Sequence, residues 1–161
     1  MKFSRITSAI FSVTLLASSG NSVAQALELQ KLSEAVWDGW SGGCWFHNEF
    51  RGNRRGGELM LLIRGEDKDS VAVLKLDGKL EEVPYAQTLS KSKTFRMGAR
   101  NSTMYQSNDL KIKVTTIVTE VPDGNSCAGD CIESSGYAAE IEISKNTNKR
   151  KYKFGVGACG L

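Results

Sequence analysis

The sequence has 161 residues, of which 40% are hydrophobic, and its 21 Lys and Arg face 18 Asp and Glu, for a net charge of +3. This length suits one domain with a sizeable core. Such a small charge argues against a general binder of nucleic acid or other polyanions.

Residues 1–26 have the pattern of a secretory signal peptide. Lys2 and Arg5 form a positive start, an apolar core extends to Ala17, and an A-x-A cleavage site ends the segment. The apolar run is too short to span a bilayer. We therefore expect a single β-rich domain, 27–161, that is periplasmic or secreted and retains no transmembrane segment.

A short amphipathic helix is predicted where this domain begins. Leu29, Leu32 and Val36 recur at helical spacing within residues 27–38, and Gly39 interrupts the pattern. We expect the apolar stripe of this helix to pack on the body of the domain.

The segment Cys44–Phe50 contains the first group of candidate binding residues. Alternation along a strand places Trp45, His47 and Glu49 on one face and Cys44 on the other. Tryptophans are mostly buried, which favours Trp45 as a core residue. The alternative is an indole, an imidazole and a carboxylate that together contact a ligand.

The remainder of the chain shows strand and turn patterns only. Runs of apolar or alternating residues predict strands over Glu58–Arg64, Val71–Val83 (a hairpin), Leu110–Val121, Tyr137–Ser144 and Arg150–Val156, with shorter strands around Thr94–Met97 and Thr103–Gln106. About seven or eight short strands and one N-terminal helix predict a mainly β domain, a small antiparallel barrel or sandwich.

The hairpin with Asp77-Gly78 at its tip permits two registers. A two-residue loop sets Leu74 opposite Glu81, whereas a three-residue loop with Gly78 in a left-handed bulge sets Leu74 opposite Leu80. We predict the second register because it pairs apolar side chains.

Four cysteines lie beyond the signal segment. An even number in a small exported domain indicates disulfides, and three pairings are possible. The favoured pairing joins Cys127 to Cys131 locally and Cys44 to Cys159 at long range, which ties the first strand to the last.

Metal binding is the alternative use of these cysteines. Cys44, His47, Cys127 and Cys131 offer three thiolates and an imidazole, a set that zinc accepts. Their spacing is loose, Cys159 is left over and an oxidising compartment favours disulfides, so no metal or cofactor is expected. A redox role is less favoured, because three residues separate the local pair instead of two.

A hydrolase is a third hypothesis. The single histidine, His47, would have to act as the acid–base group, with Glu49 orienting its ring. The sequence has no G-x-S-x-G nucleophile motif. We therefore predict a protein without catalytic residues.

Two motifs carry a resemblance to known proteins. The hairpin VAVLKLDGKL and the terminal GVGACGL resemble short exported bacterial proteins that share a hairpin and a C-terminal GxCG ending. This resemblance implies a bacterial envelope location and assigns no functional residue. The segment Ser134-Ser135-Gly136-Tyr137 is similar in type to the Ser-Gly loop of periplasmic lysozyme inhibitors, which are exported β-proteins of similar length.

The predicted function is that of a disulfide-stapled binding module of the bacterial envelope. It is expected to act like an inhibitor, by non-covalent binding to a protein or a glycan, through exposed strand faces or loops. The candidate contact residues are Trp45, His47, Glu49, Ser134, Ser135 and Tyr137.

Overall fold

The structure is a computed structural model, and it describes residues 27–37, 42–48, 57–121 and 135–160. The predicted signal peptide and the predicted Cys127–Cys131 bridge lie outside the described residues. Two short 3-10 turns, Glu34–Trp37 and Asp67–Asp69, accompany the strands. The nine strands are β1 (Leu29–Gln30), β2 (Gly43–His47), β3 (Leu59–Arg64), β4 (Val71–Leu76), β5 (Lys79–Ser90), β6 (Arg100–Ser107), β7 (Leu110–Glu120), β8 (Ser135–Lys145) and β9 (Asn148–Gly160).

Strands β2 to β9 form a closed, eight-stranded, up-and-down barrel. Each strand pairs antiparallel with the next, and β9 returns to pair with β2. The short β1 is an addition, paired with the end of β4 through Leu29 and Leu76. The predicted mainly β class is confirmed, and the architecture is the barrel rather than the sandwich. Closure pairs both edges of the sheet, so no barrel strand presents a free edge along its paired length.

The hydrophobic core fills the barrel from the inside. Side chains alternate across each strand, so every second residue points inward. The largest fully buried members of this interior cluster are Phe46, Leu27, Leu61, Leu74, Leu76, Ile112, Ile141 and Ile143. Burial of such side chains, at roughly 1.5–3 kcal/mol each, is the main source of the barrel's stability.

The N-terminal segment differs from the predicted amphipathic helix. Residues 27–37 form the two-residue β1 and a single 3-10 turn. The backbone N–H of Leu32 donates to the carbonyl of Leu59 at 2.8 Å. These bonds to the barrel replace the internal bonds that an α-helix would have made, and so the segment stays extended.

The apolar side chains of this segment nevertheless pack on the body of the domain. Leu32 and Val36 cover the outer face of the barrel, where they join Leu62, Val73 and Trp45 in a second hydrophobic cluster. We call this the outer cluster. The apolar periodicity thus indicated a packed segment correctly, although its backbone is not helical.

The predicted register of the β4–β5 hairpin is wrong. The loop has two residues, and Leu74 lies opposite Glu81. Asp77 and Gly78 both have positive φ, 49° and 83°, as the type I′ turn of a two-residue hairpin requires. Leu74 finds its apolar cross-strand neighbour on the other side, at Leu61 of β3, so the turn geometry decides the register.

The strand predicted around Thr94–Met97 is also absent from the structure. Strand β5 continues without interruption to Ser90, and residues 91–99 connect it to β6. The strand predicted around Thr103–Gln106 lies within β6. The sequence pattern thus predicted β6 correctly but did not predict that β5 extends to Ser90.

The first described residues close one end of the barrel. Leu27 is fully buried there. The hydroxyl of Tyr152 donates to the carbonyl of Leu27 at 2.5 Å and accepts from the N–H of Leu29 at 3.2 Å. The carboxylate of Asp77 accepts from the N–H of Glu28 at 2.7 Å. These bonds hold the segment across the barrel end.

A Tyr152→Phe substitution is expected to lower the free energy of unfolding by about 1–2 kcal/mol, because two bonds of one hydroxyl are lost at a part-buried site. Urea denaturation measures this loss, and hydrogen exchange at the Leu29 amide should accelerate. Tyr85→Phe is the matched control, since its hydroxyl bonds only to exposed Thr88 among the described residues. Equal losses in the two variants would contradict this role for Tyr152.

The two ends of the barrel differ in their connections. Because the strands alternate in direction, the tight turns at 77–78, 108–109 and 146–147 share one end, where β2 ends and β3 begins. The connections 65–70 and 91–99 lie at the opposite end, where β7 ends and β8 begins. We call this opposite end the mouth. Functional residues of barrels commonly lie on such connections.

Candidate ligand-binding cavity at the barrel mouth

A cavity of about 410 Å³ opens at the mouth of the barrel. Its lining is rich in hydroxyl groups, which come from β5, β6 and β7 and from the connection between β3 and β4. The hydroxyl-bearing residues that line it are Ser70, Tyr85, Thr88, Thr103, Tyr105 and Thr116. We call this the mouth cavity.

The alternation of inward residues explains how these hydroxyls come together. On β7, Ile112 and Val114 fill the core and Thr116 is the next inward residue toward the mouth. On β6, Tyr105 and Thr103 follow the same order. At the cavity, β6 and β7 therefore turn hydroxyl-bearing threonines inward. Thr103 and Thr116 at these inward positions are the sequence signal for this cavity.

Tyr105 anchors a short chain of hydrogen bonds beside the cavity. Tyr105 and Ser70 are only 3% and 5% exposed. The hydroxyl of Ser70 lies 2.7 Å from the carbonyl of Asp67, which can only accept, so Ser70 donates to it. Ser70 has only one hydroxyl hydrogen, so the phenol of Tyr105 is the donor in the 3.4 Å contact between the two hydroxyl oxygens. The oxygen of Tyr105 is thus left as an acceptor.

Burial raises the pKa of the Tyr105 phenol above its usual 10.0, and the proximity of Tyr85 raises it further. In a spectrophotometric titration, Tyr105→Phe should therefore remove the component that ionises at the highest pH. The unfolded chain ionises near pH 10, so this contribution to stability is complete below that pH and is lost as pH rises through the folded pKa. Persistence of the highest component in Tyr105→Phe would contradict this assignment.

Tyr85 forms a fixed wall of the cavity. Its hydroxyl accepts from the N–H of Thr88 at 2.8 Å and lies 3.2 Å from the Thr88 side-chain oxygen. Since its hydroxyl is tied to its own strand, Tyr85 presents its ring to the cavity region. Tyr85, which is half-buried, thus supplies aromatic surface beside the hydroxyls.

A disulfide between Cys44 and Cys159 lines the cavity where the barrel closes. The two residues lie opposite each other on β2 and β9, with an S–S distance of 1.97 Å. They are separated by 115 residues in the sequence. The predicted long-range bridge is therefore present, and it joins the first and last barrel strands.

Charge is distributed unevenly around the cavity. The lining includes Glu66 and Asp67, both exposed. Among the described residues that line it, none is Lys or Arg. The cavity therefore presents hydroxyls and carboxylates, which suits hydrogen-bond donors better than anions.

The first predicted contact group, on β2, has a different environment. Trp45 and His47 lie on the outer face, where Trp45 is half-buried against the outer cluster. Nδ1 of His47 lies 2.7 Å from the carbonyl of Gly57, which can only accept, so that nitrogen carries a hydrogen. Glu49 lies outside the described residues.

The two members of the alternative zinc set that the structure describes, Cys44 and His47, lie on opposite faces of β2. Cys44 faces the interior and is in the disulfide, whereas His47 lies on the outer face. Cys127 and Cys131 lie outside the described residues. Within the described ranges, no group of three or more His, Cys, Asp or Glu residues could hold a metal ion.

The second predicted contact group lies at the mouth. Ser134 is outside the described residues, and Ser135 begins β8. Tyr137 is half-buried against the interior cluster, and its ring centroid lies 6.5 Å from that of Phe95 in the β5–β6 connection. None of the predicted contact residues that the structure describes lines the mouth cavity.

Comparisons with known proteins give no relative from which to assign a function. No protein-family model, curated protein or solved structure matches this chain significantly. In the described part of the chain, no helix has the length and apolar character needed to cross a membrane.

Proposed function

We propose that this chain is a binding protein of the bacterial envelope that takes a small ligand, without covalent chemistry, into the mouth of its barrel. The observation that carries the proposal is the convergence of six hydroxyl-bearing side chains on one cavity of about 410 Å³. This volume falls within the roughly 300–1,000 Å³ of known small-molecule sites, which combine aromatic walls with a few polar groups.

The fold supports this proposal. An eight-stranded closed barrel is just wide enough for side chains to fill it or for one small ligand to be held. Here the core fills the end with the tight turns, and the cavity occupies the mouth. The predicted signal peptide and the Cys44–Cys159 disulfide support export to an oxidising compartment such as the periplasm.

Inhibitor-like binding of a protein at the same end is the second candidate. Phe95 and Met97 in the β5–β6 connection are 53% and 70% exposed. Large exposed apolar side chains next to each other are typical of protein contacts. Loss of a protein partner in a Phe95→Ser/Met97→Ser variant that still binds small molecules would favour this candidate.

Backbone NMR tests the proposed function. Low-molecular-mass extract from the source cells is added to the labelled protein, and amide shifts are mapped. We expect changes at the mouth ends of β5, β6 and β7, and we expect them to disappear in Thr103→Phe, which fills the cavity. Gln106→Phe, at an exposed position of the same strand, is the control. Equal shifts in Thr103→Phe would overturn the proposal.

A further inference from the structure

We infer that the ligand of the mouth cavity is an uncharged, hydroxyl-rich molecule the size of one or two sugar rings. This inference rests on the proposed function and specifies the ligand class. It follows from the hydrogen-bonding capacity, charge and shape of the cavity.

The hydrogen-bonding groups of the cavity match those of a polyol. The hydroxyls of Thr103 and Thr116 can each donate and accept, as can every hydroxyl of a sugar. The Tyr105 oxygen can only accept from a ligand, because its hydrogen is donated to Ser70. Groups that only accept, such as phosphate and carboxylate, would leave this acceptor unpaired.

The charges around the cavity favour a neutral ligand. An anion would meet the carboxylates of Glu66 and Asp67, with no Lys or Arg among the described lining residues to neutralise it. A buried charge without a partner is costly. A cation would gain little, since both carboxylates are exposed and exposed ion pairs contribute only about 0–1 kcal/mol.

The shape of the cavity also fits a sugar. The half-buried ring of Tyr85 offers aromatic surface, on which the C–H face of a sugar ring can pack. The hydroxyls stand beside this surface and can meet the equatorial groups of the ring. A volume of about 410 Å³ is at the small end of the range for ligand sites, which excludes long chains.

Calorimetric titration of the purified full-length protein tests the ligand class. The neutral probes are glucose, N-acetylglucosamine, maltose and cellobiose, and glucuronate, putrescine and laurate represent anions, cations and lipids. We expect a neutral sugar to bind more tightly than the charged and lipid probes. Thr103→Val and Thr116→Val should each weaken binding about tenfold, the effect of one hydrogen bond.

The control substitution is Thr115→Val, the same change one residue away. Thr115 follows the inward Val114 and contacts Ser102 at 2.9 Å on the outer face, so binding should be unchanged. Preference for glucuronate, putrescine or laurate, abolished by Thr103→Phe, would overturn the ligand class and leave the proposed function standing. A neutral sugar that binds Thr103→Phe equally would overturn both. Failure of all neutral sugars to bind would overturn this inference alone.

Discussion

The double substitution Cys44→Ser/Cys159→Ser is expected to lower the free energy of unfolding by about 4–5 kcal/mol. The bridge closes a separation of 115 residues, and in the chain-entropy model a loop of this length gives a contribution of that size. The loss should concentrate at the β2–β9 pairing, where the barrel closes. Guanidinium denaturation measures the stability, and hydrogen exchange locates the opening.

The double substitution Cys127→Ser/Cys131→Ser is the matched control, because it removes two cysteines and leaves the long-range bridge in place. The predicted Cys127–Cys131 bridge closes only a short loop, so a smaller loss, at most about 2 kcal/mol, is expected. Equal losses in the two double variants, or unchanged exchange along β2 and β9, would contradict the role assigned to Cys44–Cys159.

Gly157→Ala is expected to destabilise the barrel by about 3 kcal/mol or more. A Cβ at this position would lie 2.3 Å from Cδ1 of Phe46 and 2.5 Å from the carbonyl oxygen of Trp45. Phe46 is fully buried and pairs directly with Gly157 across β2 and β9. Neither group can move without disturbing the core or the strand pairing, and overpacking of this kind typically costs 1–3 kcal/mol or more.

Gly155→Ala is the control for this substitution. Gly155 lies two residues earlier on the same strand, is exposed and has no positive φ. It should change stability by less than about 0.5 kcal/mol, as surface substitutions usually do. In a Phe46→Leu background, the cost of Gly157→Ala should fall, since part of the clash is with the ring. An unchanged cost of Gly157→Ala in the Phe46→Leu background would show that the strain does not come from the Phe46 ring.

The sequence predicted the architecture better than the local geometry. Alternation in β7 and β8 indicated an antiparallel β body, because the period of two is a direct consequence of one buried face. Turn residues were harder to interpret. Apolar pairing favoured Leu74 opposite Leu80, but Leu74 lies opposite Leu61 of β3, the strand that precedes β4 in the sequence.

The cavity was not predicted from the sequence, because it too depends on contacts between strands. Thr103 and Thr116 are ordinary residues on their own strands, and only the pairing of β4, β5, β6 and β7 in one sheet brings them near Tyr85 and Ser70. Trp45, in contrast, was a candidate contact residue because tryptophan is a rare residue type, and it packs against the outer cluster. Pairing of Cys44 with Cys159 could be predicted because one cysteine lies near each end of the domain.

Native mass spectrometry of the protein recovered from its own compartment tests the central claim most directly. We expect a processed chain that carries one small, non-covalent ligand, which is released on gentle activation and is absent from Thr103→Phe prepared in the same way. A wild-type chain without a ligand, or a ligand retained equally by Thr103→Phe, would contradict binding in the mouth cavity.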